Sequence, residues 1–220
     1  MLEGRVLGIA ERREREKEQR RSDIVDAAEE VIFSRGIAQA TMDDVAERAE
    51  LSKGTLYLYF KSKEDLYLAI VLRGIAMLQR MLVEASDSKA KGVEKIEAIG
   101  RAYFDFCKTH PDYFNAMLYF ESCGADACEE SSYGVECMSQ SAETFAICAT
   151  AIQAGIEDGT IRAGLDPLKT ALTLYGLSTG LLQVVSLKGR MIQENHNVNP
   201  DDLVETFFEL INRSIRVASD

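Results

Sequence analysis

The chain has 220 residues, 46% of them hydrophobic and 28% charged, with a net charge of -11. That length and apolar content support a real core, and the charge excludes a chain that is basic throughout to suit nucleic acid. Three prolines, no Gly/Ser-rich linker and almost no alternating β-branched runs exclude a β-rich fold and predict an all-α one.

The first predicted element is a helix. Residues 11–21, ERREREKEQRR, mix acids and bases densely and are expected to form a solvated stretch with ion pairs within the helix. It runs into SDIVDAAEEVIFSRG, where Ile24, Val25, Ala27, Ala28, Val31 and Ile32 recur at helical spacing and Gly36 stops the helix. Thr41 is the predicted N-cap of the next helix, with Asp43 and Asp44 in its first turn, where the helix dipole favours acids. Leu51 falls in a tight turn and Ser52 caps a second short helix, followed by Lys53, Gly54, Thr55, Leu56 and Phe60. Ser62 caps a third, longer helix through LYLAIVLRGIAMLQRMLVEAS.

Two short helices joined by a tight turn form a helix-turn-helix, whose second helix can enter the DNA major groove. The side chains suit that neighbour. Ser52 and Thr55 can donate to phosphate, Gly54 admits a phosphate to the helix N-terminus, and Lys53 and Lys63 add charge. Tyr57 and Tyr59 combine apolar contact with a hydroxyl, while Leu56 and Phe60 are expected in the core. Residues 1–65 carry 12 Lys and Arg against 15 Asp and Glu, and the remainder 13 against 21. From Leu51 to Lys63, however, there are three lysines and no acid. Screening over about 10 Å at 0.1 M salt lets that local surface decide.

Further along, GVEKIEAIGRAYFDFCKT reads as a helix broken at His110 and Pro111, and PDYFNAMLYFES as another with proline at its first position. GADACEESSYGV is expected as a loop or frayed helix start, followed by a helix to about Asp158 that Gly159 stops. Asp166 and Pro167 open an apolar helix. Its run from Ala171 to Leu187 is about a turn short of the roughly 20 residues of a membrane span, so the expectation is a helix buried on nearly every side and no membrane. NHNVNP then turns the chain into the last helix. Five cysteines with no CxxC pair, behind a charged N-terminal stretch lacking an apolar signal segment, predict a reducing cytoplasm.

The stretch TMDDVAERAELSKGTLYLYFKSKEDLYLAIV resembles the DNA-binding signature of the TetR family of bacterial transcriptional regulators, over about residues 22–72. Glu50 departs from it, standing where the family usually has glycine. The resemblance implies a helix-turn-helix domain over residues 1–66 and an effector-binding and dimerisation domain over 67–220. It implies a homodimer on a near-palindromic double-stranded DNA operator, and DNA contacts from Thr41, Ser52, Lys53, Gly54, Thr55, Tyr57, Tyr59 and Lys63. Repression relieved by a small apolar or aromatic effector, with no cofactor, is the expected function.

The larger half supplies candidates for both remaining roles. Met77, Met81, Tyr103, Phe104, Cys107, Tyr113, Phe114, Met117 and Leu118 are the expected ligand-binding residues, being bulky, soft or phenolic. Gly176 and Gly180, one turn apart, allow close helix approach, and Leu203, Phe207, Leu210 and Ser214 share one side of the last helix, so these six are the expected dimer interface. An enzyme is not expected: His110 and His196 lack metal-ligand partners at helical spacing, and no nucleophile motif or phosphate loop is present. A thiol sensor built on Cys123, Cys128 and Cys137 is the alternative, set against cysteines as small apolar filler.

Overall fold

The computed structural model describes residues 3–122 and 131–217, with side chains from Gly8 onward. The described residues form helices α1 (Glu3–Arg35), α2 (Met42–Arg48), α3 (Lys53–Tyr59), α4 (Lys63–Asp87), α5 (Gly92–Thr109), α6 (Pro111–Ser122), α7 (Ser132–Glu157), α8 (Pro167–His196) and α9 (Pro200–Ile215). The all-α expectation holds among the described residues, where several helices carry their own start and stop signals. Gly36 and Gly159 take positive φ of 79° and 74° behind α1 and α7, a region glycine enters without a Cβ clash. Asp166 caps α8 by accepting from Lys169 N–H, with Pro167 at the first position.

The chain divides into two compact units, residues 1–74 with 115–137, and residues 75–114 with 138–220. In the first, Ile24, Ala28, Val45, Leu56, Phe60, Leu66, Ile70 and Val71 form a core that is almost fully buried. Leu56 and Phe60 are therefore core, as their spacing predicts. The charge run of α1 is solvated, with Arg12 Nε on Glu16 Oε1 at 2.8 Å. Arg21 lies over the rings of Phe60 and Tyr133, 5.7 and 4.9 Å from their centroids, and Ser131 Oγ donates to Asp65 at 2.7 Å. These contacts hold the start of α7 against the helix-turn-helix.

Glu50 adopts φ 54°, the left-handed conformation. Glycine enters it without a Cβ clash, so Glu50→Gly is expected to stabilise the fold by about 1 kcal/mol, read as a higher Tm in thermal unfolding.

In the second unit, α5 packs against α8 and α9 around Ile96, Ile99, Tyr103, Phe104, Ile152, Ile161 and Phe208. Gly92 is required there: a Cβ on it would lie 2.1 Å from Gly155 N. The Ala171–Leu187 helix departs from expectation. Only Ala171, Ser178 and Gly189 of α8 are buried, while Leu172, Leu177, Val184, Leu187 and Met191 are exposed, Leu187 at 81%. Both α4 and α8 are long and apolar enough to cross a membrane by length and composition, but α4 is largely buried whereas α8 is not. Sequence periodicity counts apolar residues and cannot say whether the same chain covers them.

Candidate nucleic-acid interface

The helix-turn-helix is set by two interlocking caps. Thr41 Oγ1 accepts the Asp44 N–H at 3.2 Å while Asp44 Oδ2 accepts the Thr41 N–H at 3.0 Å, a capping box that starts α2. Hydrogen bonds from Thr41 hold the Asp44 carboxyl below the usual carboxylate range, with Arg35 adding to the effect at 2.6 Å. Ser52 Oγ accepts the Thr55 N–H at 3.1 Å and lies 2.8 Å from Thr55 Oγ1, which starts α3. The turn between them closes through Leu51 N–H on Ala46 O at 2.9 Å.

The eight residues expected to meet DNA lie in this unit, in different states of engagement. Gly54 and Tyr57 are exposed on α3, and an added Cβ at Gly54 would meet only Ser52 Oγ, at 3.9 Å. Thr41, Ser52 and Thr55 are committed to the caps. Lys53 Nζ is 2.7 Å from Asp43 Oδ1, and that contact raises the lysine pKa. Lys63 Nζ donates to Ile37 O at 2.7 Å, and Tyr59 is half-buried. Phosphate contact by Lys53 thus requires exchange of Asp43 for phosphate, which weakens the positive character read from sequence.

Sequence reasoning passed over Leu58. It is 84% exposed on α3, the most exposed large hydrophobic residue among the described residues. Its signal was an apolar residue off the Leu56–Phe60 core stripe, in a helix otherwise lined by hydroxyls and rings.

The nine expected ligand residues are divided between the two units. Tyr103, Phe104 and Cys107 are buried in the second unit, with Tyr103 Oη 2.9 Å from Thr179 Oγ1 and its ring edge-on to Phe104, Phe114 and Tyr175. Met77, Met81 and Tyr113 belong to the same unit and are half-buried, whereas Met117 and Leu118 belong to the first. A cavity of about 40 Å³ among Ile96, Gly100, Leu174, Phe207, Phe208 and Ile215, and an open groove of about 540 Å³ along Gln79, Arg80, Val83 and Glu143, are lined by none of the nine. Of the six expected interface residues, Gly176, Gly180, Leu210 and Ser214 are exposed, and Leu203 and Phe207 are half-buried, Phe207 against Phe104 and Phe208.

Cys107 and Cys148 are free thiols that burial pushes up to about 12 and about 11, and Cys137 is buried with its thiol toward Leu68 O. Cys123 and Cys128 lie outside the described residues.

Residues 24–70 match the family model described as bacterial regulatory proteins, tetR family. The chain is similar over 90 residues to the HTH-type transcriptional activator FasR of Mycolicibacterium smegmatis, at 37% identity over 41% of each chain. It is similar over 90 residues to a fatty acid metabolism regulator protein of Bacillus subtilis, at 31% identity over 41% of this chain and 46% of that one. The chain thus spans less than half the length of these two curated relatives. The structure of a transcriptional regulator FadR from Bacillus subtilis in complex with stearoyl-CoA has the same fold, with a TM-score of 0.67, 22% identity and coverage of 86% of this chain and 96% of that one.

Proposed function

We propose, from the TetR-family match over residues 24–70, that the chain is a member of that family: a DNA-binding transcriptional regulator and not an enzyme. The observation that carries this reading is the capped α2–turn–α3 unit, with Gly54 and Tyr57 on the exposed face of α3. Two copies joined through α8 and α9 would present two such helices to the half-sites of a near-palindromic operator. The apolar face of α8, left uncovered by the described residues and carrying both glycines, supports that partner over solvent.

The effector is a small apolar molecule and its binding releases DNA, so the regulator is a repressor. A relative named as a fatty acid metabolism regulator, and a like-folded regulator seen with stearoyl-CoA, support an acyl chain as the apolar group. Release requires that the effector bind the DNA-incompetent dimer more tightly than the competent one. Of the three cysteines of the thiol-sensing alternative, Cys137 is buried, and Cys123 and Cys128 lie outside the described residues.

Titrating stearate and stearoyl-CoA against the protein bound to its selected duplex tests the effector. Release at concentrations where the ligand binds free protein is the expected result; tight binding with unchanged operator affinity would overturn it.

A further inference from the structure

The exposed strip of α3 contains a residue that water does not favour. Leu58 stands one turn after Gly54, on the same side of the helix, since residues four apart are neighbours there. Helical side chains lean toward the N-terminus, so Leu58 projects over the glycine rather than over another side chain. A Cβ on Gly54 would meet only Ser52 Oγ, at 3.9 Å, so no other described side chain crowds the space beside Leu58. The adjoining strip is Lys53 and Tyr57, both exposed. A leucine has no hydrogen-bonding group, so it cannot read a donor or acceptor on a base edge. In the major groove the one apolar feature that distinguishes a base is the C5-methyl group of thymine.

We infer that Leu58 is a specificity-determining residue that packs on a thymine C5-methyl in each half-site, with Gly54 allowing the helix close enough for that contact. This rests on the DNA-binding reading above, and adds to it a base preference at one operator position. The polar residues of α3 position the helix on phosphates, and Leu58 supplies information they cannot.

The test uses the full chain and the duplex retained in selection from random DNA, with each thymine replaced in turn by deoxyuridine, which lacks only the methyl group. Removal of the contacted methyl is expected to weaken binding roughly fourfold per half-site, the worth of one buried methyl-sized group. Leu58→Ala should bind the thymine duplex less tightly and be indifferent to that replacement, while Leu58→Met keeps the sensitivity. If the wild-type chain binds every deoxyuridine duplex as tightly as the parent, the inference is overturned although the DNA-binding reading stands. If no duplex is retained at all, it is that reading which fails. Equal sensitivity in wild type and Leu58→Ala assigns the methyl contact to another residue and also overturns the inference.

Discussion

Leu177→Asp combined with Leu187→Asp is expected to convert the proposed dimer to a monomer and to lower operator affinity by two orders of magnitude or more. Both leucines are exposed on α8, at 50% and 81%, on the stripe that includes Leu172, Gly176, Gly180, Val184 and Met191. Neither contributes to the buried core of one chain, so the monomer should keep its fold and its helical circular dichroism. A carboxylate placed in an apolar interface costs several kcal/mol on the order of a buried charge, which is more than a dimer of ordinary affinity withstands. Loss of the second reading head then removes half of the operator contacts. Sedimentation at micromolar concentration reads the oligomeric state directly. A wild-type chain that is monomeric there, or that partitions into lipid vesicles through α8, would contradict the dimer.

Gly54→Ala is expected to separate stability from binding. In α3 the glycine lies in the second helical position with ordinary helical φ, and an alanine Cβ would meet nothing closer than 3.9 Å. Alanine should therefore stabilise the folded chain by about 0.5–1 kcal/mol, because glycine has more conformational freedom to lose. The added methyl stands where the helix must approach the phosphate or base edge, so operator affinity should fall at least tenfold while Tm holds or rises. Unchanged affinity would place Gly54 away from DNA. Measuring both quantities on one preparation matters, since a fall in affinity with a fall in Tm would report only damage.

The helix-turn-helix was legible because its signals are local. Thr41, Ser52 and Ser62 announce three helix starts, and Leu56 and Phe60 sit at the spacing of a buried stripe; the structure returns each of these. The state of the site was less legible. Nothing in the sequence places Asp43 against Lys53 or the Ile37 carbonyl on Lys63, because those partners lie 10 and 26 residues away. Glu50 was recognisable as a departure only through the resemblance, and its left-handed backbone is a property of the turn. The α8 helix failed in the other direction: composition marks it as apolar, but whether its cover is the same chain or a second copy depends on long-range packing that no window of sequence contains. The aromatic residues from Tyr103 to Phe120 show the same limit, since a ring that lines a cavity and a ring that fills one have the same sequence signature.

The most direct measurement is selection of the purified chain against random DNA duplexes at low salt, followed by sequencing of what is retained. Enrichment of a near-palindrome is expected, with half-sites a helical turn or a small multiple apart, bound by two chains and lost with Leu177→Asp/Leu187→Asp. Retention of no common sequence, or of a single unrepeated half-site bound by one chain, would contradict it.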